Sequence, residues 1–245
     1  MKPVSVWIGY DSRETAAFAV ARESAAKRLT LKGVPIYGIM LDDVKSRGLY
    51  WRPTERSPGE IRDVISGHQM STEFAISRFL TPHLAAQGGL ALFMDCDMLV
   101  RGNLMRLFGE INGRSGEDRA LWCVKHTHIP TSDTKMDGQL QTTYSRKNWS
   151  SFMVFDCDHP ATKRLTLEMI NARRGLDLHQ LCGLQDDEIG EIDPKWNYLV
   201  GHTELSQDVE PKVVHYTDGG PWFEGFSDVP YADEWRAELR RFVCR

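Results

Sequence analysis

Two Asp-Cys-Asp triplets, Asp95-Cys96-Asp97 and Asp156-Cys157-Asp158, stand out among the residues able to do chemistry. Each follows a short apolar run, so each is expected at the end of a buried strand. Carboxylates two residues apart at such an end make an oxygen site suited to Mn²⁺ or Mg²⁺, ions that keep positions open for substrate phosphates. Nucleotide ligands of open α/β sheets sit beyond the strand C-termini, where both triplets are expected. Alone the pattern is weak, because strand-end Asp residues commonly cap the next helix. That reading suits the second triplet, where Asp158 can cap a helix begun by Pro160. The first triplet lies inside ALFMDCDMLVRGNLMRLF, apolar on both sides. Two carboxylates at a buried crossing repel each other and lose hydration unless a cation joins them. Asp95 and Asp97 are therefore candidate metal ligands, with a purely structural role as the equal alternative.

The elements that must position them follow from the hydrophobic pattern. Val4 to Ile8 reads as a buried first strand, and the Ala-rich stretch Glu14 to Lys27 as a helix. Asp11 and Glu14 have capping-box spacing at its start. Val34 to Leu41 is a second strand. Residues 44–70 are polar and hold Pro53, Pro58, Gly59 and Gly67, which predicts a long irregular excursion. Ser71 to Leu84 is expected to be a helix capped by Ser71 or Thr72. Leu90 to Met94 is a third strand, Asn103 to Phe108 a short helix, and Ala120 to Val124 a fourth strand. Residues 126–150 read as a substrate-facing loop. Phe152 to Phe155 is a fifth strand, Pro160 to Ala172 a helix, and Ala232 to Phe242 a final helix. Strands alternating with helices in the first half imply a mixed, mostly parallel sheet covered on both faces. One domain over 1–245 is expected: a nucleotide-binding half (1–100), an acceptor-side half (101–225) and a C-terminal helix (226–245).

Composition narrows the function classes. The chain has 245 residues, 41% of them hydrophobic, enough for a sizeable core. A formal charge of -4 argues against a nucleic-acid partner. The N-terminus lacks signal-peptide character, and no apolar run approaches the roughly 20 residues of a membrane span. Cys96, Cys123, Cys157, Cys182 and Cys244 form no CxxC pair and read as reduced, buried thiols of a cytoplasmic protein. The final helix carries Arg236, Arg240 and Arg241 beside Trp235, Leu239 and Phe242. Peripheral contact with an anionic membrane is one reading of it, and docking on the domain is the plainer one.

The order of the segments resembles the family-8 glycosyltransferases, which include glycogenin and bacterial lipopolysaccharide galactosyltransferases. The carrying pattern is strand, Asp-x-Asp, apolar, then Asn103-Leu104 to Leu107-Phe108. Tyr10-Asp11 resembles that family's uridine-contacting loop, AISRFLTPHL its helix bearing an Arg, and NWSSFMVFD its Asn-Ser-Gly strand. Val214-His215-Tyr216-Thr217-Asp218-Gly219-Gly220-Pro221-Trp222 resembles its C-terminal His-x-x-Gly-x-x-Lys-Pro-Trp motif. The resemblance spans residues 4 to about 223. It implies a single-domain GT-A fold, a nucleotide-diphosphate sugar donor (UDP-sugar), Mn²⁺ or Mg²⁺, and transfer with retention to a saccharide or lipid-linked acceptor.

Roles carried over residue by residue complete the expectation. Asp95, Asp97 and His215 would hold the metal, Asp95 also reaching the ribose. Tyr10 would stack on the base and Asp11 bond to it, with the cap as Asp11's alternative. Arg78 would face a phosphate or donor hydroxyl, unless it is a solvated helix charge, and Gly219 would line the donor site. Gln180 would sit beneath the anomeric carbon, with Asp97 as the catalytic metal ligand. Asn148, Trp149, Lys125, His126 and His179 are acceptor-side candidates. The chain departs from the family where Gly220 replaces the Lys before Pro-Trp, with Arg78 or Lys135 as substitute cations. The family's Asp-Gln pair falls on His179-Gln180, or in a rival alignment on Gln185-Asp186. Two other readings stay open: a non-catalytic nucleotide-sugar or carbohydrate-binding protein on this fold, and a sugar nucleotidyltransferase, which IGYDSRET disfavours by lacking a Gly-rich phosphate loop.

Overall fold

The computed structural model describes residues 2–86, 88–114, 116–127 and 146–244. In chain order the first half forms β1 (Val4–Gly9), α1 (Thr15–Lys27), β2 (Ile36–Ile39), α2 (Leu41–Ser46), β3 (Thr54–Ser57), β4 (Glu60–Asp63), β5 (His68–Gln69), α3 (Thr81–Leu84), β6 (Leu90–Met94) and β7 (Met98–Val100). There follow α4 (Leu104–Asn112), β8 (Leu121–Cys123), β9 (Phe152–Asp156), α5 (Leu167–Ala172), α6 (Gly175–His179), β10 (Ile189–Glu191), β11 (Tyr198–Leu199), β12 (Val213–His215) and α7 (Ala232–Val243).

The central sheet has the order β10-β8-β9-β6-β1-β2. β1 runs parallel to β2 and β6, β10 runs parallel to β8, and β9 is antiparallel to both its neighbours. Every residue of β6 is buried, as expected for a strand covered on both faces. β1 and β6 both end at one edge of this sheet. A second sheet, β11-β12-β7, lies just beyond that edge because β7 follows Asp97 directly. A small core of Val20, Leu99, Val214, Tyr216 and Trp235 ties it to α1 and α7.

Several segments differ from the sequence expectation. The excursion at 44–70 is ordered: α2 begins it, and β3-β4-β5 form an antiparallel sheet. Its strands are polar and lack alternation, so no periodicity announced them. A buried ion pair anchors this sheet, with Arg52 Nε 3.0 Å and Nη2 2.5 Å from the Asp63 carboxylate. The second strand is shorter than Val34 to Leu41, because Leu41 opens α2 with Asp42 and Asp43 in its first turn. Ser71 to Leu84 is not one helix; a 3₁₀ turn at Ser77–Leu80 runs into α3, with no side-chain cap. Pro160 to Ala172 divides likewise into a 3₁₀ turn at Thr162–Arg164 and α5, and Thr166 caps α5 by accepting from Met169 N–H at 3.2 Å.

The second Asp-Cys-Asp triplet is thereby relieved of both its expected roles. β9 runs antiparallel, so Asp156 pairs with Leu90 at the opposite edge of the sheet. Lys2 Nζ lies 2.6 Å from Asp156 and 3.3 Å from Asp158, and Asp158 accepts from Gly89 N–H at 3.3 Å instead of capping a helix. α7 docks on the domain: Trp235 is buried, and Lys27 donates to Glu238 at 2.8 Å. Among the described residues no helix is long and apolar enough to cross a membrane.

Candidate active site

Strand register assembles the site. Asp95 and Asp97 leave β6 at the edge where β1 also ends. β12 pairs antiparallel with β7, His215 opposite Met98, and Tyr216 N–H bonds to Asp97 O at 3.0 Å. This places the imidazole beside the triplet although more than a hundred residues separate them in sequence. One ligand atom from each of Asp95, Asp97 and His215 lies within 4.8 Å of the other two. His215 Nε2 stands 3.4 Å from Asp97 Oδ2. Two cis ligands of an octahedral ion bound at about 2.1 Å stand roughly 3.0 Å apart. Two carboxylate oxygens and one imidazole nitrogen are a donor set that Mn²⁺ accepts, so the residues fit the ion.

Each carboxylate is held differently. Asp95 Oδ1 is 2.9 Å from Arg78 Nη1, and its backbone N–H donates to Ser151 O at 3.0 Å. Arg78 also donates to Ser150 O at 2.9 Å and Ala75 O at 3.0 Å, and its guanidinium carbon lies 5.1 Å from the ring centres of Phe74 and Phe93. It is therefore a buried, ion-paired cation and not a solvated helix charge. Asp97 keeps 21% of its side chain exposed and faces open space. Glu14, which spacing alone assigned to a cap, lines the same space. Burial, then the charges of Asp97 and Asp11, push its carboxyl up to about 8.

That space is a cavity of about 950 Å³, at the upper end of ligand-site volumes. Its lining includes the three candidate ligands with Asp218, Gly219 and Trp222. Met70, Arg78, Lys147, Asn148, Arg174 and His179 line it as well. Gly219 has φ of 147°, open to glycine, and a Cβ there would meet the Phe226 ring at 2.9 Å. A Cβ on Gly220 would lie 1.9 Å from the Trp222 ring. The indole thus occupies the space that a longer residue at 220 would need.

Other expected site residues fall elsewhere. Asp11 is fully buried: its carboxylate accepts from the Arg13 guanidinium, from Arg13 N–H at 2.9 Å and from Glu73 N–H at 3.0 Å. Neither a base contact nor a side-chain cap on Glu14 is available to it. Tyr10 packs edge-on against Phe18 at 5.1 Å and is not among the residues lining the cavity. Gln180 follows α6 outside that lining, and its backbone O accepts from Arg146 at 2.5 Å. In the rival alignment Gln185 caps a 3₁₀ turn, and the exposed Asp186 pairs with Arg146. Lys135 lies outside the described residues.

His179 and Asn148 do line the cavity, and His179 Nδ1 is 2.7 Å from Ser150 Oγ. Burial, then the Arg78 charge, lower the His179 imidazole to about 3, so it is neutral. Lys125, His126 and Trp149 form a separate cluster. The Trp149 ring centre lies 5.6 Å from Lys125 Nζ and 5.5 Å from the Arg146 guanidinium carbon, and its Nε1–H donates to His126 O at 3.0 Å. Burial, followed by the charges of His215 and His202, lowers His126 to about 3. Sequence reasoning missed Glu14, Lys147, Arg146 and Asn197, whose roles depend on neighbours distant in the chain.

No protein-family profile matches the sequence. Among solved structures the chain is similar to the WbbM bifunctional glycosyltransferase, at TM-score 0.61 and 12% identity, covering 100% of this chain and 52% of that one. It is also similar to the galactosyltransferase LgtC in complex with donor and acceptor sugar analogues (TM-score 0.57, 12% identity, 97% and 95% covered). GlyE of Streptococcus pneumoniae TIGR4 superposes at TM-score 0.57 with 15% identity, over 100% of this chain and 64% of that one. The fold is therefore the GT-A fold of these glycosyltransferases. The sequence is 42% identical over 244 residues to protein CDI of Arabidopsis thaliana, covering 98% of this chain and 88% of that protein. The chain belongs to the protein CDI family.

Proposed function

We propose that this chain is a metal-dependent glycosyltransferase that moves a sugar from a nucleotide-diphosphate donor, a UDP-sugar, to a saccharide or lipid-linked acceptor. The observation that carries the reading is the cluster of Asp95, Asp97 and His215 lining a cavity of about 950 Å³. In sugar transfer the nucleoside diphosphate leaves with growing negative charge while the sugar gains oxocarbenium character. A divalent cation, Mn²⁺ or Mg²⁺, supplies Lewis-acid stabilisation of the departing diphosphate. Asp97 and His215 would hold it, and Arg78 would keep Asp95 aimed at it. His179 stands in the cavity where the family resemblance expects an Asp, and as a neutral imidazole it would bond to sugar hydroxyls without adding charge. Retention of configuration rests on the resemblance to family-8 enzymes.

The missing Lys before Pro-Trp needs a replacement, and Arg78 is committed to Asp95. Lys147, 8% exposed in the cavity lining, is the cation we assign to the diphosphate. A hydrogen bond to a charged group contributes about 1.5 kcal/mol or more, so Lys147→Ala is expected to raise the donor KM by roughly tenfold. Metal affinity should stay unchanged and Lys147→Arg should recover part of the loss. Steady-state kinetics with isothermal titration of Mn²⁺ checks this.

The reading itself is tested by incubating the protein with a panel of nucleotide-diphosphate sugars and Mn²⁺, with simple saccharides as acceptors. Released nucleoside diphosphate, abolished by a chelator and restored by added metal, is the expected result. Saturable donor binding with no turnover under any condition would overturn it in favour of a non-catalytic sugar-nucleotide-binding protein. The anomeric configuration of the product, read by NMR, decides retention.

A further inference from the structure

A hydrogen-bonded chain runs from His215 through Asn197, which lies outside the cavity lining, to the loop before β9. His215 Nδ1 lies 3.0 Å from Asn197 Oδ1, Asn197 Nδ2–H donates to Ser151 Oγ at 2.9 Å, and Ser151 Oγ–H donates to Asn148 O at 2.7 Å. His215, Asn197 and Ser151 are all buried, with Asn197 fully so. No motif marked Asn197. It follows a 3₁₀ turn at Pro194–Trp196, capped by Asp193, and leads into β11, which pairs with β12 beside His215.

The chain has a direction, and a carbonyl sets it. Asn148 O can only accept, so the Ser151 hydroxyl spends its single proton there. Ser151 Oγ must then accept, which obliges Asn197 to turn its NH₂ group toward Ser151. The amide oxygen is left facing His215 and can only accept from it. We infer that Asn197 is a positioning residue that holds His215 in the Nδ1–H tautomer, leaving the Nε2 lone pair directed at the space beside Asp97. Flipping the amide would offer its NH₂ to Nδ1, put the ring proton on Nε2 and abolish the short Ser151–Asn148 bond. A lone pair 3.4 Å from a carboxylate oxygen is an arrangement whose repulsion a cation relieves. The inference rests on the metal reading above for its consequence but not for the tautomer itself.

The same loop also carries Asp95. Ser151 O accepts from Asp95 N–H, and Ser150 O accepts from Arg78. Residues 148–151 are thus bonded to the supports of two candidate ligands, through backbone for Asp95 and through Asn197 for His215. Ser151 is the junction. Outer partners of metal-bound histidines typically set metal affinity by about 10- to 100-fold.

The test uses ¹⁵N-histidine-labelled full-length protein and Mn²⁺ titration of the unlabelled protein, with wild type, Asn197→Ala, Asn197→Asp and Ser151→Ala. In the wild type the neutral His215 ring is expected to show protonated Nδ1 and bare Nε2. Asn197→Ala should weaken Mn²⁺ binding by about 10- to 100-fold. Asn197→Asp keeps an acceptor for Nδ1–H and should hold Mn²⁺ affinity within a few-fold of wild type. Ser151→Ala frees the amide to flip and should populate the Nε2–H tautomer and weaken Mn²⁺ several-fold, although its side chain touches no ligand. A wild-type ring protonated on Nε2 alone overturns the inference, as does a Ser151→Ala protein with unchanged tautomer and affinity. If the wild type binds no Mn²⁺ while its tautomer is as assigned, the metal reading fails and the positioning role stands. Should Asn197→Ala not fold, Asn197→Asp and Ser151→Ala still decide.

Discussion

Replacing Asp97 by Ala is expected to lower sugar transfer by on the order of 10³-fold while leaving the fold intact. The size follows from removing a ligand of the group that stabilises leaving-group charge, where single preorganised contacts already contribute 10²- to 10³-fold. The fold should tolerate the change because Asp97 faces the cavity with 21% of its side chain exposed, among Asp95 and the raised Glu14. Removing one of three crowded carboxylates relieves repulsion, so thermal stability without metal should hold or rise. Asp95→Ala is a poorer probe, since it leaves the buried Arg78 guanidinium without its carboxylate. Activity and melting temperature of the two variants, measured side by side, check the distinction. Retained transfer by Asp97→Ala would contradict it.

The same crowding gives a pH signature. Glu14 ordinarily titrates at 4.5, and burial with the neighbouring Asp97 and Asp11 charges raises it to about 8 in the native state. Between those values the folded chain keeps a proton that the unfolded chain has released. Stability of the metal-free protein should therefore fall as pH rises through this window, and Asp97→Ala should flatten the slope. Urea denaturation at stepped pH measures it.

The largest stability effect is expected at Arg52. Its guanidinium is fully buried, pairs with Asp63 through Nε and Nη2, and donates from Nη1 to Ile170 O at 2.9 Å and Arg173 O at 2.6 Å. Burial pushes the Asp63 carboxyl up, but the bonds from Arg52 and Ser66 outweigh it and leave it below its ordinary value. Arg52→Ala strands this carboxylate and frees two carbonyls, a loss of about 3–5 kcal/mol. That is a large share of a typical stability of roughly 5–15 kcal/mol. Because Asp63, Ser66, His68 and Gln69 line the cavity, donor binding should weaken with it. Chemical denaturation and donor titration of Arg52→Ala test both. A destabilisation under about 1 kcal/mol would mean that the small sheet is held by something other than this pair.

What could be read from the sequence follows a physical division. Val4 to Ile8 and Leu90 to Met94 were legible because strands buried on both faces are continuous apolar runs. Asp95 and Asp97 were legible because carboxylates rarely interrupt such a run without a counter-charge. β3 to β5 were hidden, since strands such as Thr54–Ser57 are polar and their anchor is a tertiary ion pair. The two Asp-Cys-Asp triplets look alike in sequence, and only the antiparallel direction of β9 sends the second to the far edge. Asp11 had the spacing of a cap, but Arg13 and the Glu73 backbone claim its oxygens. Asn197 and Ser151 bond to partners distant in the chain, which local patterns cannot reveal.

On the proposed function, Asp95, Asp97 and His215 together hold one divalent cation at the donor site. Pulsed electron paramagnetic resonance of the protein with Mn²⁺ and UDP addresses it directly. The expected spectrum shows one Mn²⁺ per chain coupled to a single imidazole nitrogen, with that coupling absent in His215→Ala. An unchanged nitrogen coupling in His215→Ala, or no Mn²⁺ bound by the wild type, would contradict it.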